Sequence, residues 1–190
     1  MKIDNSMFML AIFPSLWASG VAAESYTIDP RHTFPSFEVS HIGFSTQRGR
    51  FNQTSGKISL DAQAKSGHIE VAIDSATIDT GLEELEARLK KDDFFNTAKY
   101  PGITFKSDKL EFTGNKPVSA EGTLTMLGVS QPLRLKIDHF HCGTHPISLR
   151  EVCGADASGA IKRSDFGLKA FLPAVGDEVS IRIQVEALKD

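Results

Sequence analysis

Several residue types and motifs are scarce in this 190-residue chain, and each shortage argues against a particular class of function. It has one tryptophan, two tyrosines and a formal net charge of only −3. Because both signs of charge are mixed along the chain, no basic stretch is suited to phosphate backbones or to anionic membrane surfaces. Nucleic acid is therefore not an expected partner.

Motifs for catalysis are also lacking. The sequence shows no nucleophile elbow and no zinc-binding HExxH helix. The letters Asp165-Phe166-Gly167 match a protein-kinase signature, but no glycine-rich phosphate loop, strand lysine or catalytic loop accompanies them. The sequence therefore favours a protein that is not an enzyme, and a triad assembled only in the folded chain stays the open alternative.

A long apolar run occurs once, at the N-terminus. Lys2 precedes an apolar stretch at about 7–18, and small residues follow at 20–23. This order is typical of a secretory signal peptide, and the run is too short for a permanent membrane span. We expect residues 1–23 to be a signal peptide, with an ordinary buried helix as the alternative. Residues 24–190 would then form one exported, periplasmic domain.

Cysteine is nearly absent, with Cys142 and Cys153 as the two examples. In an oxidising compartment a disulfide is the default state of such a pair. We expect this bond to staple a hairpin or its loop.

Alternation of apolar and polar residues is the strongest periodic signal. It is clearest at 178–187 and recurs at 133–138 and 69–74, which predicts antiparallel strands with one dry face. In 103–112 the apolar phase changes between Phe105 and Leu110, which indicates a bulge. One helix is expected, at 83–91. Further strands are expected at 25–29, 34–41, 50–61, 103–112, 119–126 and 155–163.

Eight or nine strands with one short helix predict an all-β sandwich or barrel, and closure is favoured because it removes exposed edges. The 13 phenylalanines are compatible with two hypotheses about the interior. Either they fill a solid core, or they line a cavity, since an eight-stranded barrel is just wide enough to pack solid or to hold one small ligand. Periodicity does not separate the two.

Polar residues offer two further hypotheses. His139, His141 and His145 lie close to both cysteines, which suggests a metal-binding or catalytic alternative. Arg163 is expected either to recognise an anionic head group, such as a diphosphate, or to pair with Asp165 at the surface.

Taken in order, many short segments resemble the YceI-like family of bacterial lipid-binding proteins, over nearly all of residues 24–190. The segments that carry the resemblance are Tyr26-Thr-Ile-Asp29, His32 through Phe37 to His41-Ile-Gly43-Phe44-Ser45, Gly49-Arg-Phe51, Gly56, Asp93-Phe-Phe95, Tyr100-Pro101, Phe105 with Ser107, Gly122-Thr-Leu124, Gly128-Val129, Pro132-Leu133, and Cys153-Gly154 through Arg163-Ser-Asp-Phe-Gly167. Two features depart from the family pattern: Glu86-Ala-Arg88-Leu89 replaces the usual Asp-x-His-Leu, and Pro35 falls inside a strand.

The resemblance implies a lipocalin-like, extended, antiparallel eight-stranded barrel whose tunnel holds a polyisoprenoid, a quinone or another long-chain amphiphile, with no other cofactor. It adds a membrane cytochrome or a second copy of the chain as candidate partners. The residues expected to contact the ligand are Phe34, Phe37, Val39, His41, Phe44, Phe51, Phe94, Phe95, Phe105, Arg163 and Phe166.

Overall fold

The computed structural model describes residues 23–190, so the expected signal peptide, apart from its last residue, lies outside the described residues. These residues form mostly β-strand, with one short α-helix and two single 3-10 turns. The elements are β1 (Glu24–Ile28), β2 (Phe34–His41), β3 (Ser45–Phe51), β4 (Thr54–Asp61), β5 (Ser66–Asp74), β6 (Ile78–Asp79), α1 (Glu83–Leu89), β7 (Gly102–Thr113), β8 (Lys116–Met126), β9 (Val129–Thr144), β10 (Glu151–Lys162) and β11 (Val175–Lys189), with the 3-10 turns at Ser75–Thr77 and Arg163–Phe166.

Eight of these strands close into an antiparallel barrel, as the sequence predicts. Their order is β1-β4-β5-β7-β8-β9-β10-β11, and pairing of β11 with β1 completes the ring. β11 illustrates why the sheet closes. Its residues alternate so that one face of the strand turns away from water, and its backbone pairs with a neighbouring strand along both edges. Closure therefore leaves this strand without an exposed edge. None of the helices within residues 23–190 has the length and hydropathy needed to cross a bilayer.

β11 is long enough to serve two neighbours on the same edge. Its C-terminal part pairs with β1, and its N-terminal part pairs with β2, which continues into β3 and β6. β2, β3 and β6 therefore form an extension of the barrel wall. The sequence predicts one strand at 50–61. In the structure this strand is interrupted at Asn52 and Gln53, so the predicted segment is divided between β3 and β4. β3 is largely exposed and lacks a dry face, so alternation gives no signal for most of it.

The two ends of the barrel carry different connections. The helix end, as we call it, bears α1, the β2–β3 turn at 42–44, the β8–β9 turn at 127–128 and the loop at 167–174. The opposite end bears the turns at 62–65 and 114–115, the β9–β10 loop at 145–150, and the C-terminus. The antiparallel registers require this division.

The bulge that the sequence predicts in β7 is present, beside register shifts that it does not predict at 111–112, 156–157 and 175–179. The β7–β8 register shifts between Lys106 and Lys109, which confirms the bulge. Ser107 fixes it, since its hydroxyl donates to the carbonyl of Glu121 at 2.7 Å and accepts from the amide of Lys109 at 3.2 Å. Pro35 is accommodated near the start of β2, where it pairs with β11 but precedes the pairing with β3.

The expected disulfide is present. Cys142 on β9 and Cys153 on β10 are direct cross-strand partners with Cα atoms 4.0 Å apart. The bond therefore staples the β9–β10 hairpin at the opposite end of the barrel.

Replacing both cysteines with serine should lower the free energy of unfolding by roughly 3 kcal/mol, because the bond closes a short loop in the unfolded chain. Urea denaturation of the variant and the oxidised protein measures this difference. Adding a reductant should weaken the native protein by a similar amount and leave the variant unchanged. Equal midpoints for all samples would contradict the prediction.

Candidate ligand-binding site

A continuous apolar cavity of about 290 Å³ runs through the barrel. This volume is many times the space that one water molecule needs. All eight barrel strands contribute to its wall, together with β2, β3 and the segment after α1. Its inward-facing aliphatic residues include Ile28, Ile58, Leu60, Ile69, Val71, Ile73, Ile103, Leu124, Leu133, Leu135, Ile137, Ile161, Val179, Ile181, Ile183 and Val185.

The cavity is long because strand alternation keeps one face apolar from end to end. On β11 the lining residues begin at Val175 and end at Ala187. The register with β2 shifts between Val175 and Val179, so the regular part runs from Val179 to Ala187, and at roughly 3.3 Å per residue its eight steps span about 26 Å of strand. Barrel strands tilt by roughly 35–45°, so this part alone spans about 20 Å along the axis. The shape suits an extended chain rather than a compact molecule.

Phenylalanines concentrate at the helix end of the cavity. The rings of Phe37 and Phe51 lie 6.1 Å apart, and Phe51 meets Phe95 edge to face at 5.6 Å. These separations are in the range of favourable aromatic pairs. Gly49 on β3 leaves room for the cluster, since a Cβ there would lie only 2.5 Å from the ring of Phe37.

Arg88 of α1 contacts the segment after the helix on the outer surface of this end. Its guanidinium makes a bidentate ion pair with Asp93 and lies 4.9 Å from the centre of the Phe94 ring. Phe94 in turn stacks on Phe171 at 6.2 Å. The ion pair raises the pKa of Arg88 and lowers the pKa of the Asp93 carboxyl. Arg88 thus ties α1 to the segment that follows it.

Few polar side chains line the cavity, and most already have partners within the protein. The hydroxyl of Thr33 donates to the carbonyl of Glu186, and that of Ser36 donates to the carbonyl of Arg182. The Thr54 hydroxyl is buried and has no partner among the described residues. The wall therefore presents hydrocarbon to a ligand along almost its whole length.

Tyr26 closes the opposite end with a polar network. Its phenol is buried, and its single O–H is shared between the carboxylates of Glu24 at 2.7 Å and Glu151 at 3.0 Å. Lys189 bridges the same two carboxylates and so ties β1, β10 and β11 together. Burial, followed by the two carboxylates, raises the pKa of Tyr26 above its ordinary value. The phenol therefore stays a neutral donor.

Arg163 lies against the cavity and is engaged by the backbone rather than by Asp165. It is only 6% exposed. Its guanidinium donates to four backbone carbonyls, those of Leu168, Ala170, Val175 and Gly176, at 2.8–2.9 Å. Burial lowers the pKa of Arg163. With four of its five N–H groups engaged, Arg163 holds the loop at 167–174 against the barrel.

The structure divides the expected contact residues into two groups. Those that line the cavity are Phe37, Val39, Phe51, Phe94, Phe95, Phe105 and Arg163, and those that do not are Phe34, His41, Phe44 and Phe166.

Each residue of the second group is displaced for a local reason. Phe34 is three positions from Phe37, so it faces outward, where Arg50 lies 4.8 Å from its ring. His41 is the last residue of β2, and Phe44 lies in the exposed turn that follows. Phe166 is buried in the 3-10 turn, within the core beside the cavity.

The histidine cluster does not assemble. His139 and His141 are exposed on β9, while His145 accepts hydrogen bonds at Nδ1 from the amides of Ile147 and Ser148. Within residues 23–190 no group of three or more His, Cys, Asp or Glu side chains is placed to hold a metal ion. Both cysteine sulfurs are used in the disulfide. The geometry gives the metal or catalytic alternative no support.

Sequence reasoning also missed most of the wall. It selected phenylalanines, whereas the lining is largely aliphatic and includes small residues such as Ala120, Ala155 and Ala157. The alternation of apolar and polar residues along the strands could have identified these lining residues, since every inward position of a closed barrel faces the same interior.

Comparison with known proteins agrees with this fold. The YceI-like domain family matches residues 26–187. The chain belongs to the YceI-like family. A UPF0312 protein of Shewanella denitrificans is 34% identical over 177 residues, which cover 92% of each chain.

Two solved structures share the YceI-like fold. BcnA of Burkholderia cenocepacia superposes with a TM-score of 0.71 at 21% identity, covering 84% of this chain and 98% of BcnA. A polyisoprenoid-binding domain from Saccharophagus degradans, implicated in plant cell wall breakdown, superposes with a TM-score of 0.66 at 20% identity. That match covers 88% of this chain and 99% of the domain. The family and the lipocalin-like barrel are thereby established.

Proposed function

We propose that this YceI-like protein is a periplasmic carrier that holds a polyisoprenoid or isoprenoid-quinone lipid in its barrel, and that it binds this lipid without chemical turnover. The long apolar cavity is the observation that carries the proposal. Such a wall favours burial of a hydrocarbon chain, at roughly 25 cal/mol per Å² removed from water. The fold that it shares with the polyisoprenoid-binding domain of S. degradans adds support.

The wall also suggests how a ligand is selected. The charged side chain that lines it, Arg163, has four of its five N–H groups engaged by carbonyls, and the phenol of Tyr26 is held by carboxylates. A polar head group inside the barrel would therefore lose water and gain few partners. We infer that the head group stays at a mouth of the cavity and that the length of the hydrocarbon chain determines affinity.

The occupant can be identified directly. Protein purified from its native periplasm without detergent is extracted with organic solvent, and the extract is analysed by mass spectrometry. We expect a long-chain isoprenoid amphiphile in near-equimolar amount. Its repeated absence, or a mixture no different from that on a control periplasmic protein, would overturn the proposal.

Selection by chain length predicts a specific pattern of affinities. In displacement titrations with prenyl alcohols, affinity should rise with each isoprene unit until the cavity is filled, because each buried CH₂ contributes roughly 0.8 kcal/mol. Exchanging the hydroxyl for a phosphate at constant chain length should change affinity by less than about tenfold. A head-group effect larger than the length effect would contradict this pattern.

A further inference from the structure

Apart from Leu82 beside α1, three large apolar side chains are exposed at the helix end. Ile42 is 53% exposed, Phe44 is 90% exposed and Phe171 is 60% exposed. The first two lie in the β2–β3 turn, and Phe171 lies in the loop before β11. These two segments are joined by a hydrogen bond from the amide of Ile42 to the carbonyl of Ala174 at 2.7 Å. We call Ile42, Phe44 and Phe171 the apolar tip.

Two of these residues adopt a backbone conformation that favours other residue types. Ile42 has φ 53° and Phe171 has φ 60°. Bulky and β-branched residues are rare in this left-handed region, where glycine or asparagine costs less. Leu127 and Leu149 adopt the same conformation, so the backbone angle by itself does not distinguish the apolar tip.

The apolar tip is continuous with the cavity. Phe171 stacks on Phe94, which lines the cavity, at 6.2 Å. Val39 and Val175 line the cavity close to the bases of the two exposed segments. A hydrocarbon chain that leaves the barrel at this end would pass across the apolar tip.

The two ends are closed in different ways. At the opposite end the network of Tyr26, Glu24, Glu151 and Lys189 joins three barrel strands, and the Cys142–Cys153 bond joins β9 to β10. The helix end is closed by loops and by the segment after α1. Because loops can move without breaking the strand pairing of the barrel, we take the helix end as the mouth of the cavity.

We infer that the apolar tip inserts into the interfacial layer of a lipid bilayer, where it places the mouth of the cavity against the membrane. Phenylalanine and isoleucine on narrow projections suit this layer. A stable protein interface usually needs about 20–30 residues a side, far more than the tip offers. Exposed charges of both signs lie at this end, Lys91 and Lys169 with Asp92 and Asp165, so insertion should not depend on anionic lipid.

The purpose of this docking rests on the proposed function, since a carrier of so apolar a ligand must exchange it with a membrane. Docking itself is measured without that ligand. Residues 24–190 are mixed with vesicles of zwitterionic phosphatidylcholine and separated by flotation. The native sequence should float with the vesicles, and high salt should change the bound fraction little.

Two double variants test whether the apolar tip is the surface that binds the membrane. The double change Phe44→Ser and Phe171→Ser should weaken partitioning by at least about tenfold, since each buried aromatic contributes more than the free energy of one tenfold step. The matched control changes Ile147→Ser and Leu149→Ser, two residues that are 88% and 76% exposed at the opposite end. It should partition like the native sequence. Both variants should bind dissolved prenyl alcohol normally.

Three results would overturn the inference: no flotation of the native sequence, equal loss in both double variants, or a dimer in light scattering that the tip variant abolishes without any vesicle binding. Vesicle binding with no extractable isoprenoid would refute the proposed ligand and leave the docking surface intact. An isoprenoid in the barrel with no vesicle binding would do the reverse.

Discussion

Ala157→Phe should abolish retention of the proposed lipid while the barrel still folds. Ala157 lies near the middle of β10 and lines the cavity, so a phenyl ring there occupies the space that the hydrocarbon chain needs. We expect affinity for a long prenyl alcohol to fall at least about a hundredfold, because the chain loses much of its burial. Fluorescence displacement titration measures this loss, and the variant should yield no lipid on extraction.

The neighbouring residue supplies the control for this change. Ser158 faces the outside of the barrel, where its hydroxyl bonds to Asp138. Ser158→Phe adds the same ring to the outer surface and should leave affinity unchanged. The melting temperature of Ala157→Phe should stay level or rise, since filling a void is commonly stabilising. Native affinity in a folded Ala157→Phe variant would show that the ligand binds elsewhere.

Arg163→Met should cause the largest loss of stability. It removes the donors to four backbone carbonyls and releases the loop at 167–174 while keeping a long apolar side chain. Buried carbonyls left without partners cost about 1–3 kcal/mol each, and such costs are not additive. We expect the free energy of unfolding to fall by roughly 3–5 kcal/mol in urea denaturation.

Two comparisons separate this effect from a general loss of charge. Arg182→Met removes an exposed arginine from β11 and should change stability by no more than about 0.5 kcal/mol. Arg163→Lys keeps the charge but cannot reach four carbonyls with its compact ammonium, so its stability should be intermediate. A fully stable Arg163→Met variant would mean that the loop is held by its other contacts.

Strand identity could largely be predicted from the sequence, because most strands of this barrel have one dry face. The alternation at 178–187 falls within β11, and 34–41 matches β2 residue for residue. The phase change between Phe105 and Leu110 predicted the β7–β8 bulge. β3 and β6 escaped prediction, since one is mostly exposed and the other has two residues.

The residues of the candidate site were predicted less well. Periodicity shows which residues share one face of a strand, but it does not show which residues from other segments pack against that face. Phe34 and Phe37 look equivalent in a phenylalanine-rich segment, yet strand geometry places them on opposite faces. Arg163 resembles a head-group ligand until its four carbonyl partners are known, and those partners come from a loop that follows it in the chain.

The sequence by itself determined the all-β class, the alternating strands and the family resemblance, since each depends on residue order along one strand or segment. Only the tertiary structure decided that the apolar faces enclose a cavity rather than a filled core, because that depends on how far apart the eight closed strands hold their inward side chains. It also decided that Ile42, Phe44 and Phe171 meet at one end, since antiparallel pairing alone brings those distant turns together.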